Sequence, residues 1–405
     1  YSGNTLGELK PCGCAKEEDQ GGFERRLTYL KQIFTTSNNV LLVDTGDNFK
    51  EPSRQGKIKA HYIMEAISKL KYDAVIPGDK DLVYGESFLN NKLKIPWLLS
   101  NAKLSKNDLS KIKIKKLQNG VTIAMLGLID PHLYSGIKHN KGSITDSKES
   151  AQKLIKKLKA SASPDLIVLL THMKREKAIS ILELSGVDVV INGHIENDTD
   201  IIDMTKIETQ GKIFVQPGPR GQKMGELIIS IDHKGEKLFK QRMVRLDSNI
   251  KADPEMVKWY KNYNKEVEAL FFDSLASRRT KSGKQKIYAS EQGCINCHPN
   301  EHESWKKSRH SHAYETLNRV NKAFDPECLE CHVTGWGYSE GFISEVDTPD
   351  LKDVQCEVCH GPRLDHVNGS EQKNTFDAKK ACKHCHVKNH SPNFNYLKYW
   401  EKIKH

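Results

Sequence analysis

The sequence predicts two domains of different class: a layered α/β domain, then a mainly α segment with too little apolar chain for an ordinary core. Three observations predict this. A chain of 405 residues exceeds one typical core. Up to about residue 246, short apolar runs alternate with amphipathic stretches, the pattern of a sheet covered on both faces. Beyond residue 290 that pattern stops, and one cysteine motif recurs four times.

Taken in order, the strand candidates are Val40–Val43, Ala74–Ile76, Val121–Leu126, Leu166–Leu170, Val187–Ile191 and Ile213–Val215. Helical periodicity between them is clearest at Ile58, Tyr62, Ile63, Ala66, Ile67 and Leu70. Leu227–Asp232 and Leu238–Leu246 flank His233-Lys-Gly-Glu and read as a hairpin. Asp253-Pro254 opens a helical connector from Glu255 to about Leu275, followed by a basic, Gly/Ser-containing linker, Arg278 to Lys286. The domain reading is therefore 1–250, a connector over 251–290, and 291–405.

The recurring motif is Cys294-x-x-Cys297-His298, Cys328-x-x-Cys331-His332, Cys356-x-x-Cys359-His360 and Cys382-x-x-Cys385-His386. It takes eight of the ten cysteines. C-x-x-C-H is the attachment signature of a c-type haem: two thiols add across the vinyl groups and the histidine binds iron. Four copies in under a hundred residues, each second cysteine followed directly by His, exclude a zinc or disulfide framework as the simpler account. The expected cofactors are four covalent haem c groups, packed on one another as the core of the segment.

In the first domain, polar residues follow the strands, where an open α/β sheet places its crevice. They read Asp44-Thr-Gly-Asp47, Gly78-Asp79-Lys80-Asp81, Thr171-His172 and Gly193-His194-Ile195-Glu196. Together with Gly21-Gly22-Phe-Glu-Arg25-Arg26, Ile95 to Asn101, and Gln216-Pro-Gly-Pro-Arg-Gly221 with Gly225, this order resembles the 5′-nucleotidase branch of the calcineurin-like metallophosphoesterases over roughly residues 1–247. The resemblance implies a sandwich fold and two metals about 3.5–4 Å apart that clamp a phosphoryl oxygen. Carried over by position, Asp47 is the bridging ligand, and Asp79 (where the family has Asn), His172 and His194 are second-metal ligands. The first-metal positions depart: Asn4-Thr5-Leu6 replaces Asp-x-His, Glu196 replaces the last His of Gly-His-x-His, and Lys80 replaces the acid-like His. Leucine binds no metal, and lysine offers a charge without a lone pair. The expectation is therefore a vestigial domain with room for at most one divalent metal. Cys12 and Cys14, beside the depleted position, read either as replacement thiolates, a disulfide or inert thiols. His61, His132, His139 and His233 read as surface residues.

In the second domain, Trp305-Lys-Lys-Ser308-Arg-His310, Cys331-His332-Val-Thr-Gly335 and Val354 to Pro362 resemble the tetrahaem cytochrome c family of nitrifying bacteria, over about 290–405. The resemblance implies distal ligands at His310, His366 and His405, with His312 and His390 as rivals and His302 and His384 as solvated or supporting. It also implies a five-coordinate haem at the second motif. The fold class is thus an α/β metallophosphoesterase-like sandwich followed by a mainly α, haem-packed multihaem cytochrome c domain.

The functional expectation is an exported electron carrier in preference to a hydrolase: four haems relay electrons, and the vestigial domain docks or scaffolds. Three alternatives stand beside it: a haem enzyme acting on a small nitrogen species, a redox-linked metallophosphoesterase, and a protomer of a conductive assembly. Expected partners are redox proteins, other multihaem cytochromes among them, with a homo-oligomer left open. The formal charge of +11 is offset by about eight haem propionates. The lysines, including a cluster at Lys111–Lys116, read as a solvated surface and not as a nucleic-acid face, which needs clustered aromatics too. No apolar run is long enough to span a bilayer. Haem attachment of this type implies a periplasmic or extracellular site, hence a leader removed from a chain that opens at Tyr1.

Overall fold

In the computed structural model the chain divides into two compact units, one of Tyr1–Pro11 with Asp19–Tyr263 and the other of Asn264–His405. The structure describes all residues except 12–18, 91–92, 104–108, 135–142, 162, 197–205, 282–285, 371–375 and 388–389; Cys12, Cys14 and His139 lie outside it.

The first unit centres on a six-stranded sheet ordered Lys113–Lys116, Thr122–Ile129, Leu166–His172, Val189–Asn192, Lys212–Val215 and Ile207–Thr209. Its four inner strands run parallel and both edges pair antiparallel. Side chains alternate faces along each strand. Ala124, Leu126, Ile167, Leu169 and Phe214 pack on Ala151, Ile155 and Leu158 of the Ser147–Ser161 helix and on Ala178 and Ile181 of the Arg175–Leu182 helix. Ile123, Met125, Val168, Leu170, Val189 and Ile213 face the other way, onto Val43, Ala74, Ile76 and Leu98. Burial on both faces is why these strands read as continuous apolar runs.

The opposing layer is a short parallel pair, Val43–Asp44 with Ala74–Val75, prolonged by single bridges from Ser2 to Asp44 and from Val75 to Trp97. Lys223–Ile231 and Lys237–Arg245 form the expected hairpin, its turn closed with Gly235 at φ 82°. The Arg54–Leu70 helix starts at Ser53, whose hydroxyl accepts from the Gly56 N–H at 2.8 Å, and buries Ile63, Met64, Ile67 and Leu70.

Two expectations fail here for the same reason. The lysine cluster is only in part a solvated surface: Lys113–Lys116 is a strand, and while Lys111 and Lys116 are exposed, Lys113 and Lys115 are turned in. Lys113 Nζ donates to the Pro96 carbonyl at 2.9 Å, and Lys115 Nζ to Asp73 at 2.6 Å and Val40 at 2.8 Å. Likewise the basic linker begins as helix, since Pro254–Lys281 is one element. In the second unit, Arg278 lies 3.9 Å over the Trp336 ring and Arg279 forms a fork on Asp347 at 2.8 and 3.0 Å. Distant partners set both outcomes.

The second unit is mainly helical and has no strand among its described residues beyond an isolated bridge, Val333 to Lys352. The motifs fall at short helices: Ser290–Cys294, Pro326–His332, Cys356–His360 and Ala378–Cys385. Leu317, Leu329, Val333, Phe342 and Leu351 are buried, so the unit has a small aliphatic and aromatic core of its own.

Candidate functional site

Four side chains converge at the C-terminal ends of parallel strands. Asp47 follows Val43–Asp44, Asp79 follows Ala74–Val75, His172 ends Leu166–His172, and His194 follows Val189–Asn192. One ligand atom from each lies within 4.8 Å of all the others. His172 Nε2 stands at the middle, 3.0 Å from Asp79 Oδ1, 3.3 Å from Asp47 Oδ1 and 3.3 Å from His194 Nδ1. Asp79 Oδ1 is 3.5 Å from His194 Nδ1.

The surroundings fix these groups. The Thr45 carbonyl lies 2.9 Å from His172 Nδ1 and accepts its proton, which leaves Nε2 as the lone-pair nitrogen of the neutral ring. Asp47 Oδ1 accepts from the Lys80 N–H at 3.0 Å. Asp47 itself sits at φ 55°, a left-handed conformation rare outside glycine. Two glycines make the approach possible: a Cβ on Gly78 would fall 2.2 Å from Asp47 Oδ1, and one on Gly193 would fall 2.0 Å from the Thr45 oxygen. The buried Asp81 accepts from the N–H groups of Gly78, Asn48 and Phe49 and ties the two aspartate loops together.

Charge is concentrated here. Burial pushes the Asp47 carboxyl up, against the pull of His172. Burial also opposes ionisation of Asp79, but hydrogen bonds from His172 and His194 outweigh it and hold that carboxyl well below its ordinary range. Burial disfavours a charged His172, yet Asp47 and Asp79 raise it to about 9. Asp81 is pushed up to about 8, by burial first and then by Asp47. Two carboxylates and two imidazoles converging on one point suit a transition metal or zinc. A dicationic ion would replace the proton that now holds them together.

The remaining positions lie elsewhere. Asn4 and Leu6 run beside the Asp47 loop, their N–H groups donating to Gly46 O at 2.7 Å and Asp47 O at 3.0 Å. Asn4 is fully buried, and both polar atoms of its amide lack a hydrogen-bond partner. Glu196 is half exposed and pairs with Lys174 Nζ at 3.0 Å. His61, His132 and His233 are exposed.

In the second unit the histidines pair. Ring centroids are 6.5 Å apart for His298 and His366, 6.1 Å for His310 and His386, and 6.0 Å for His360 and His405. With metal–nitrogen bonds of about 2 Å, an iron between two imidazoles sets their centroids about 6 Å apart, so these pairs fit axial ligation. Burial holds His310, His360 and His386 below the ordinary imidazole range, in the neutral form that binds metal. Among the described residues no histidine ring packs on His332, whose Nδ1 donates to Ala313 O at 2.7 Å. The rivals His312 and His390 are exposed; of the two histidines expected to be solvated or supporting, His384 is exposed and His302 is buried against Glu291 and Trp305. The His302–Glu291 pair had no sequence signal, because its members share no motif.

Comparison with known proteins agrees with this division. Residues 17–196 match the calcineurin-like phosphoesterase family, and residues 293–361 match the cytochrome c554 and c-prime family. The trifunctional nucleotide phosphoesterase YfkN of Bacillus subtilis is 25% identical over 218 residues, 44% of this chain and 15% of that protein. Cytochrome c-554 of Nitrosomonas europaea is 34% identical over 84 residues, 17% of this chain and 36% of that protein. The structure of a 5′-nucleotidase precursor from Thermus thermophilus superposes with a TM-score of 0.57 at 19% identity, covering 71% of this chain and 59% of that one. The chain thus spans well under two thirds of each of these relatives.

The chain thus joins a region similar to calcineurin-like phosphoesterases to a segment with weak similarity to c-type cytochromes. Among the described residues no helix is long and apolar enough to cross a membrane.

This corrects the functional expectation. A vestigial module attached to an electron carrier has no need of four convergent ligands, and here they stand within 4.8 Å in a domain matched to phosphoesterases. Leu6 and Lys80 stand where the resemblance implies a metal ligand and an acid, yet Asp47, Asp79, His172 and His194 still converge. Hydrolase activity is the better reading than a carrier alone.

Proposed function

We propose that this chain is a redox-linked metallophosphoesterase: an exported, metal-dependent hydrolase of phosphate esters whose C-terminal segment carries covalent haem. The observation that carries the reading is the convergence of Asp47, Asp79, His172 and His194. A bound divalent ion supplies Lewis acidity toward a phosphoryl oxygen and lowers the pKa of water. The chain's own residues supply the rest. Asp47 and Asp79 give the negative charge that holds the ion, His172 is oriented through Thr45, and His194 closes the half-exposed side. Hydrolysis joins a water oxygen to phosphorus and releases the alcohol, which takes up a proton. The nucleotide-hydrolysing relatives favour nucleoside phosphates as substrates.

For the haem segment, the cysteine pairs of the four motifs would hold four haem c groups, with His298, His332, His360 and His386 proximal. The ring pairs favour His366, His310 and His405 as the distal ligands opposite His298, His386 and His360. His332 is then left to a five-coordinate haem.

The test uses the full haem-loaded chain, chelated and then supplied with Mn²⁺ or Zn²⁺, assayed on p-nitrophenyl phosphate and a nucleoside monophosphate. Expected is metal-dependent phosphate release; no turnover with either ion on either ester would refute the hydrolase. Equal rates after dithionite and after ferricyanide would remove the redox link and leave the hydrolase.

A further inference from the structure

We infer that the phosphoesterase centre takes a single divalent ion, not a pair. The inference rests on the metal-dependent reading above and concerns how many ions this chain's residues can hold. All four donors surround one point, with His172 Nε2 within 3.3 Å of a donor atom from each of the other three. That is enough for one four-coordinate ion. A second ion about 3.5–4 Å away would need its own donors beyond the shared Asp47.

Among the described residues no further cluster of His, Cys, Asp or Glu supplies them, and Cys12 and Cys14 lie outside those residues. Asp47, Asp79, His172 and His194 are the one group of three or more His, Cys, Asp or Glu among them that can hold an ion. At the positions where the resemblance implies first-metal ligands the chain has Asn4 and Leu6, held against the Asp47 loop by the hydrogen bonds to Gly46 and Asp47. A neutral amide is a weak donor and a leucine is none. Glu196, the nearest acid on the His194 loop, is turned toward Lys174, which already compensates its charge. Lys80 brings a positive charge to the loop that binds Asp47, and a like charge disfavours a second cation.

The experiment is a metal count on the full haem-loaded chain, stripped by chelator and equilibrated with Mn²⁺, which elemental analysis separates from haem iron. Expected is one manganese per chain, with the six-line electron paramagnetic resonance spectrum of an isolated ion. Asp79→Ala, at a partly exposed position, removes one of the four donors and lowers the affinity at least tenfold. Glu196→Gln leaves both stoichiometry and spectrum unchanged. Two manganese per chain, an exchange-coupled spectrum, or loss of bound ion in Glu196→Gln would overturn the inference. Hydrolysis measured on the same samples keeps the two ideas apart. Turnover with two ions bound sinks the single-ion centre and spares the hydrolase; one bound ion without turnover does the reverse.

Discussion

Replacing Gly193 with alanine tests whether the Thr45 carbonyl really positions His172. Gly193 lies outside the left-handed region, so alanine meets no conformational penalty there and the question is space alone. The added Cβ would sit 2.0 Å from the Thr45 oxygen and 2.9 Å from its carbonyl carbon. Ordinary contact begins near 3.4 Å, so the peptide must retreat by more than an ångström. The clash is with backbone, so no rotamer change relieves it. The same oxygen receives the His172 Nδ1 proton at 2.9 Å, and a shift of that size breaks the bond or drags the ring out of the cluster. Losing a partner of this kind costs about 10–100-fold in metal affinity, and misplacement by about 1 Å costs on the order of 100-fold in rate. The assay is Mn²⁺ titration beside kcat/KM on p-nitrophenyl phosphate, with circular dichroism to confirm folding. His233→Ala, at an exposed position in the turn of the hairpin, is the control. If Gly193→Ala keeps its metal affinity and turnover within threefold of the parent, the carbonyl is not the positioning group.

Asp47→Asn removes the more deeply buried of the two carboxyl groups beside His172 and should lower kcat/KM on aryl phosphates by at least about 100-fold; a smaller loss would place the essential charge elsewhere. His310→Ala should convert one low-spin haem, that of His386, to high spin in electron paramagnetic resonance, whereas His302→Ala should leave every haem signal in place. In the chelated protein, His172 and Asp81 are raised to about 9 and about 8, so each binds its proton more tightly folded than unfolded. Stability from His172 is full below about 6.5 and is lost as pH rises through about 9, while that from the protonated Asp81 is lost between about 4 and 8. The melting temperature of the metal-free chain should therefore fall from pH 6 to 9, and bound Mn²⁺ should flatten the curve; a metal-free curve that rises over that range would contradict the assigned charges.

Much of the first unit was legible because its signals are local. The runs at Leu166–Leu170 and Val187–Ile191 needed only their own side chains to read as strands, and both are strands. The failures involve partners far away in sequence. Nothing near Lys113 or Lys115 announces that carbonyls at Pro96 and Val40 will receive their ammonium groups. Nothing near Arg279 announces Asp347. The misjudged site has the same origin. Leu6 and Lys80 are visible as departures from a motif. That Asp47, Asp79, His172 and His194 close on one another without the missing residues depends on Gly78 and Gly193, which let the loops approach.

The physical cost of that closure bears on the choice between scaffold and enzyme. Asp47 and His172 are almost wholly buried and Asp79 is largely so, and removing charges from water is expensive unless they are well compensated. Without an ion, the compensation is one proton on His172 shared between two carboxylates, one of them on a backbone held at φ 55°. A domain that served only to dock or to space would be more stable with apolar side chains of similar volume at these positions. Strained backbone and crowded carboxylates persist where a ligand makes up the deficit. A divalent cation does so directly: it satisfies both carboxylates and both imidazole lone pairs at once, and it makes the His172 proton unnecessary. The cluster is costly as a scaffold and well formed as a metal site.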